Sequence, residues 1–271
     1  MAIEKREPGA GRPTRSASPT PSARPVPAGR PPARPPARPP ARSPRAALAD
    51  RLRPLFAGAP GLSLLALVGW PALLTLGVTL LRLTGELRGW SPEYFNRLPG
   101  GGLSPLGITW LAPLVGFYFG WRLERAGVRL PRPSVAFGRP AAALVAAPLL
   151  AFLAGRLFKL SWTANLGLWA VVSIAAAIVV YASWPALGRP LLTYAYAARV
   201  PVAIVMYAAI WKGWQTHYDL PPPGFPAMPA RRRWLWIGLL PQATIWVAWT
   251  MAVGALFGAL GWWAASRRRP R

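Results

Sequence analysis

Cysteine is missing from this chain of 271 residues, and histidine occurs only once, at His217. Without cysteine the chain can form no disulfide, no thiolate nucleophile and no thiolate metal site. One histidine cannot complete a His/Cys zinc site either, so we expect no bound metal. Glycine-rich fingerprints for phosphates or dinucleotides are also lacking, and we therefore expect no cofactor.

Acidic residues are scarce, with seven Asp and Glu against 32 Lys and Arg and a net charge of +25. After residue 50 the only acids are Glu86, Glu93, Glu124 and Asp219, each in a loop or at the end of an apolar run. Proton-coupled carriers and aspartyl intramembrane proteases need carboxylates inside the membrane, so both classes are disfavoured. No serine lies in a Gly-x-Ser-x-Gly context. A non-enzymatic role is therefore expected over an enzyme.

Hydrophobic residues make up 53% of the chain, and the charged residues are clustered rather than spread. The clustering leaves apolar runs of about 18 residues or more, the length needed to cross a bilayer. Many of the 15 tryptophans fall at the ends of these runs, as in the aromatic belts at membrane surfaces. The sequence therefore predicts a multi-pass integral membrane protein whose first partner is the lipid bilayer.

The predicted fold is all-α, with about six transmembrane helices in a bundle at 51–265. The spans are expected at about 61–81, 103–121, 140–158, 162–182, 191–211 and 242–263. Six spans put both termini on one side, and the positive-inside bias makes that side cytoplasmic. The expected location is the cytoplasmic (inner) membrane of a bacterium. The arginines at 231–233 oppose this topology, because they would lie outside.

The first 50 residues consist mainly of Pro, Ala, Ser and Arg, and residues 30–41 repeat Arg-Pro-Pro-Ala three times. Too few apolar side chains are present to offset the entropy of folding, so a disordered Pro/Arg-rich cytoplasmic tail is predicted. The tail either sets topology as a solvated segment, attracts anionic lipid headgroups, or docks a protein partner through PxxP. Nucleic acid is not an expected partner. A second basic tail covers 266–271.

Small residues recur every four positions in two of the predicted spans. This spacing lets helix backbones approach closely and predicts packing surfaces. The surfaces serve either packing within one chain or self-association. The residues are Ala112, Gly116 and Gly120 in the second span, and Thr250, Gly254 and Gly258 in the sixth.

Arg199 lies inside the fifth apolar run, where a central arginine costs about 2.5–3.5 kcal/mol on insertion scales. One interpretation is that its side chain reaches the cytoplasmic headgroups or pairs with Glu124. The other is that Arg199 faces a polar cavity and binds an anionic group, with Pro201 loosening the helix.

A polar loop follows the fifth run and contains His217, Tyr218 and Asp219 among tryptophan and proline residues. It is either a rigid loop end at the membrane surface or a surface for a ligand or partner. Asn165 and Gln242 are predicted either to join helices by hydrogen bonds or to line a polar path.

Three functions follow from these features. The first is a non-enzymatic accessory or scaffold subunit that acts through helix and loop contacts. The alternative is a small transporter or channel-like facilitator with a polar path near Arg199, Asn165 and Gln242. The third is an enzyme acting on lipid headgroups, with His217 and Asp219 as acid and base.

Overall fold

The computed structural model describes residues 62–99 and 104–267. The predicted N-terminal tail at 1–50 and most of the basic C-terminal cluster lie outside these ranges. Within them the chain is helical and contains no strand, which confirms the all-α prediction for this part of the protein.

Eight α-helices follow one another along the described chain. They are α1 (Leu64–Leu87), α2 (Leu111–Arg125), α3 (Arg139–Leu157), α4 (Trp162–Ser183), α5 (Pro185–Lys212), α6 (Ala230–Arg233), α7 (Leu240–Ala243) and α8 (Ile245–Ser266). A 3-10 turn precedes α2, and π-helical segments precede α3 (Ser134–Gly138) and α7 (Trp234–Leu239).

Five helical segments in the described residues are long and apolar enough to cross a membrane. These are Leu64–Leu87, Ser134–Leu157, Trp162–Ser183, Pro185–Lys212 and Ala230–Ser266. They support the prediction of an integral membrane protein with several transmembrane helices. The predicted second span, 103–121, only partly overlaps α2. Helix α2 is not among the five segments, and its 15 residues are fewer than the roughly 20 that cross a bilayer.

The last long helical segment is interrupted, but not where the sequence predicted. The predicted sixth span begins at about 242, directly after Pro241. The chain is instead helical from Ala230, and the helix breaks at Thr244, whose φ is −126° and ψ is −71°. Proline lacks a backbone N–H, so Pro241 weakens the helix near this point. The break separates Gln242 in α7 from Trp246 in α8.

Helices α2 and α8 run parallel with their backbones in contact. Gly116 lies against Gly254, and Gly120 lies against Gly258. A Cβ built on Gly120 would lie 2.5 Å from the carbonyl carbon of Gly258, closer than side chains ever approach. Ala112 and Thr250, each 2% exposed, are buried on the same two helices. The small-residue surfaces of the two helices thus meet inside one chain.

A packed core fills the end of the bundle where α1 and α5 begin and α2 and α8 end, called here the core end. Its buried side chains include Leu67, Phe119, Leu123, Leu187 and Met251. The opposite end, called the loop end, carries the connections at 88–110 and 213–229. A cavity lies in that half, as described below.

Adding one methyl group at Gly120 tests the contact between α2 and α8. We expect Gly120→Ala to lower the free energy of unfolding by about 1–3 kcal/mol, because the backbone of α8 has to move. Gly77→Ala is the control, since a Cβ there has no atom within 4 Å. Equilibrium unfolding in a mixed-detergent titration measures both changes. Equal effects of the two substitutions would contradict the tight contact.

Candidate functional site

A cavity of about 750 Å³ occupies the loop end of the bundle. Its volume is in the range of about 300–1,000 Å³ that is usual for small-molecule sites. Helices α1, α3, α4, α5, α7 and α8 and both loops contribute to the wall. Aromatic side chains form much of it, namely Trp110, Trp162, Trp169, Trp246 and Trp249.

Arg199 lines this cavity from near the middle of the 28-residue helix α5. Because α5 begins at Pro185, six residues before the predicted span, Arg199 is deeper than the sequence suggested. The side chain is only 5% exposed. Its Nη1 donates to Gln242 Oε1 at 3.5 Å, the long limit of a hydrogen bond. Its guanidinium carbon lies 5.0 Å from the Trp246 ring centroid, within cation–π range.

The charge on Arg199 has no carboxylate partner. Within residues 62–99 and 104–267 no acid forms an ion pair with it, so the predicted pairing with Glu124 is absent. The Nε atom is buried and makes no hydrogen bond. A buried cation without a counter-ion is costly, and an anion entering the cavity would relieve that cost.

A second polar group, on the same cavity, is centred on Glu86 in the last turn of α1. Glu86 is fully buried and accepts a hydrogen bond from Arg82 Nε at 2.9 Å. The backbone N–H of His217 donates to Glu86 Oε2 at 2.9 Å, and His217 Nδ1 bonds to Glu86 Oε1. We call Arg82, Glu86 and His217 the Glu86 cluster. Arg82 and His217 also line the cavity.

Glu86 was not among the predicted site residues, although its position in a loop or at the end of an apolar run was recognised. The i, i+4 spacing of Arg82 and Glu86 at the end of an apolar helix was the available signal. The contact with His217 joins positions 131 residues apart, and no local pattern encodes it.

Asp219 does not face His217 as an acid/base pair would. Its carboxylate accepts hydrogen bonds from the backbone N–H groups of Gln215 and Thr216, at 2.9 and 2.7 Å. The Thr216 hydroxyl donates to it at 2.8 Å. Asp219 therefore closes its own turn, as aspartate commonly does in loops. The carboxylate against His217 is that of Glu86.

Two further contacts fix the 213–229 loop over the cavity. The Tyr218 hydroxyl donates to the Thr79 carbonyl of α1 at 3.2 Å. Burial raises the pKa of this phenol, so Tyr218 stays protonated and remains a donor. On the other side of the loop, Phe225 packs edge-on against Trp162 of α4 with ring centroids 4.6 Å apart.

Asn165 lies apart from the other predicted polar residues. It sits near the start of α4, where its side-chain oxygen fills the space beside Gly155 of α3. That oxygen is buried without a hydrogen-bond partner, and Asn165 is not among the residues lining the cavity. Arg199 and Gln242 contact each other, but Asn165 does not extend their polar surface.

Among residues 62–99 and 104–267, no three His, Asp or Glu side chains are grouped as a metal ion would require. His217 is the only imidazole, and its Nδ1 is held by Glu86. The ionisable groups of the site are therefore two guanidiniums, the Glu86 carboxylate, one imidazole and the Tyr218 phenol, and the amide of Gln242 lies beside Arg199.

The pH dependence of stability tests the environment of His217. Burial lowers the pKa of His217 below its usual 6.5, and the hydrogen bond to Glu86 opposes that shift only in part. The unfolded chain consequently takes up a proton first as pH falls. The contribution of His217 to the free energy of unfolding is therefore complete above about pH 6.5, and it decreases as pH falls toward the folded-state pKa. We expect the wild-type melting temperature to drop more between pH 8 and pH 5 than that of His217→Gln. Identical slopes would contradict the buried, neutral histidine.

Comparisons of this chain with protein-family models, with curated proteins and with solved structures find no match.

Proposed function

We propose that this chain is a membrane-embedded, non-enzymatic carrier or facilitator that binds an organic anion in the cavity at the loop end. Arg199 is the residue that holds the anion. The observation carrying the proposal is the buried Arg199 side chain, which lines the cavity without a carboxylate partner. Its Nε is buried and makes no hydrogen bond to the described residues, so the protein leaves the guanidinium incompletely hydrogen-bonded.

The position of the cavity favours a carrier over an open channel. Its wall extends from the loop end to Ala176 in α4 and Ala252 in α8. Beyond this depth the side chains of the packed core, such as Phe119 and Leu187, fill the core end. A ligand would therefore enter from one side and need a rearrangement to leave by the other.

The accessory or scaffold role stays a prediction. The small-residue surfaces of α2 and α8 were one reason to expect this role, but they pack against each other within the chain. Those surfaces are not free for a partner helix. The N-terminal tail, the other motivation, lies outside the described residues.

We further propose a sixth crossing made by α2. A 15-residue helix spans about 22 Å at 1.5 Å per residue, less than the bilayer core. The preceding 3-10 turn, Ile108–Trp110, adds length, and the contact with α8 shields α2 from lipid. Both termini then lie in the cytoplasm, in the inner membrane of a bacterium, and the cavity opens to the outside.

Labelling a single cysteine tests this topology. The chain has no native cysteine, so Ala227→Cys in the exposed part of the 213–229 loop would be the only thiol. We expect an impermeant maleimide to label it in intact cells. Arg129→Cys, at an exposed position between α2 and α3, is the matched control and should be labelled only after the membrane is opened. Labelling of the control alone in intact cells would invert the topology.

Binding of brominated organic anions tests the function, because bromine quenches the tryptophans of the cavity wall. The panel contains carboxylates, sulfonates and phosphates, added to the purified protein in zwitterionic nanodiscs. We expect at least one saturable quench whose Kd is at least tenfold weaker, or about 1.4 kcal/mol, in Arg199→Gln. Arg156→Gln, at an exposed arginine ending α3, is the control and should bind as the wild type does. Saturable quenching by no anion, or equal quenching in Arg199→Gln, would refute the proposal.

A further inference from the structure

We infer that the ligand carries one negative charge on an apolar body, and that its charged group lies against Arg199 while the body occupies the aromatic part of the cavity. The inference rests on the proposed function and deepens it, because it names the chemical class of the ligand. Three independent features of the wall lead to it.

The first feature is the charge balance of the wall. Its charged or titratable side chains in the described residues are Arg82, Arg199, His217 and Tyr218, and Tyr218 is a neutral phenol because burial raises its pKa. The charge of Arg82 is compensated by Glu86, with Arg82 Nε 2.9 Å from Glu86 Oε1. His217 is neutral at pH 7, because burial lowers its pKa. Arg199 thus leaves a single uncompensated positive charge. A monoanion neutralises it, whereas a dianion would bring an unpaired negative charge into a buried site.

The second feature is the small number of polar groups around Arg199. The guanidinium has five N–H donors, of which the only described hydrogen bond is the long one from Nη1 to Gln242. The Trp246 ring covers the guanidinium at 5.0 Å and offers no further charge. The remaining donors suit one compact group such as a carboxylate or sulfonate, which a guanidinium binds through two parallel hydrogen bonds. Sugars or nucleotides would need many more polar partners.

The third feature is the apolar surface that surrounds this charge. Helix α3 contributes Ala143, Leu144, Ala147 and Pro148, and α4 contributes Leu166 and Trp169. Apart from the indole N–H of Trp169, these side chains offer no hydrogen-bonding group, so a polar ligand body would lose most of its hydration without replacement. An apolar body gains about 25 cal/mol for each Å² removed from water. An inorganic anion would leave most of the 750 Å³ empty.

This ligand chemistry has two sources, the bilayer and the aqueous phase. Helix α3 separates the cavity from lipid, since Leu149 and Leu153 on the same helix are 50% and 53% exposed. A monoanion with an alkyl chain from the membrane and a short aromatic acid from solution both supply one negative charge for Arg199 and an apolar body for the cavity wall. The two sources are distinguished by the length of the apolar body.

The experiment is a competition on the wild-type protein in phosphatidylcholine nanodiscs at pH 8. A 12-bromododecane sulfonate probe quenches the cavity tryptophans and is displaced by compounds of equal chain length. Dodecane sulfonate is the monoanion, dodecanedioate the dianion, dodecyl maltoside the neutral compound and dodecyltrimethylammonium the cation. Benzenesulfonate supplies a short apolar body, and inorganic sulfate supplies none.

We expect a monoanion with an apolar body to displace the probe at least tenfold better than the dianion, the neutral compound, the cation or sulfate. Displacement mainly by dodecane sulfonate assigns the ligand to the bilayer, and equal displacement by benzenesulfonate assigns it to solution. Equal or better displacement by the dianion, the neutral compound or the cation overturns the inference. That outcome leaves the proposed function standing if the quench still depends on Arg199. If no anion binds in an Arg199-dependent manner, the proposed function itself fails.

Variants at Arg199 separate charge from folding. Arg199→Lys keeps the charge and loses the planar fork, so we expect weaker binding that still prefers the monoanion. Arg199→Gln removes the charge, and its preference for the monoanion should disappear. The melting temperature of each variant is compared with that of Arg156→Gln. Because the competition among ligands uses the wild-type chain, an unfolded variant does not prevent the test.

Discussion

The close approach of α2 and α8 sets the geometry on which the cavity depends. Because Gly254 and Gly258 have no side chain, the backbone of α2 packs directly against them on one side. The side chains of Leu191 and Leu187 of α5 pack against the same two glycines. Three helices therefore meet within one side-chain layer at the core end. Toward the loop end, α8 begins directly after the break at Thr244, and the helices around this point enclose open space instead of side chains.

The two polar groups of the cavity differ in whether the protein neutralises their charge. In the Glu86 cluster the carboxylate receives donors from Arg82 and His217, so its charge is balanced within the protein. Arg199 has only a long hydrogen bond and an aromatic face. Burying an arginine in this state is unfavourable for stability. Such a cost is typical of a position kept for binding rather than for folding.

Much of the fold could be read from the sequence, and much of the site could not. Apolar runs and tryptophan positions give helices of membrane length, because hydropathy depends on composition alone. The beginning of α5 at Pro185 was missed, because Gly188, Arg189 and Pro190 resemble a loop although the helix runs through them. As a result, the sequence placed Arg199 six residues closer to the start of its helix than the structure does. The break at Thr244 was assigned to Pro241, three residues earlier, because a proline marks only the neighbourhood of a helix break.

Long-range contacts explain the remaining differences. Asp219 and His217 are two residues apart and were paired by proximity in sequence, yet Asp219 bonds to the backbone of its own turn. Glu86 takes the place beside His217 because the end of α1 and the end of α5 lie at the same end of the bundle. Only the packing of the helices creates that neighbourhood, so no residue pattern within either segment encodes it.

The 213–229 loop makes stronger contacts with α1 than with α4. On the α1 edge, His217 and Tyr218 make three hydrogen bonds to Glu86 and Thr79. Two of these involve a carboxylate, and each such bond contributes about 1.5–3 kcal/mol. On the α4 edge, the described aromatic contact is the single pair Phe225 and Trp162, whose geometry adds about 0.5–1.5 kcal/mol beyond its buried area. The loop is therefore held more strongly to α1 than to α4.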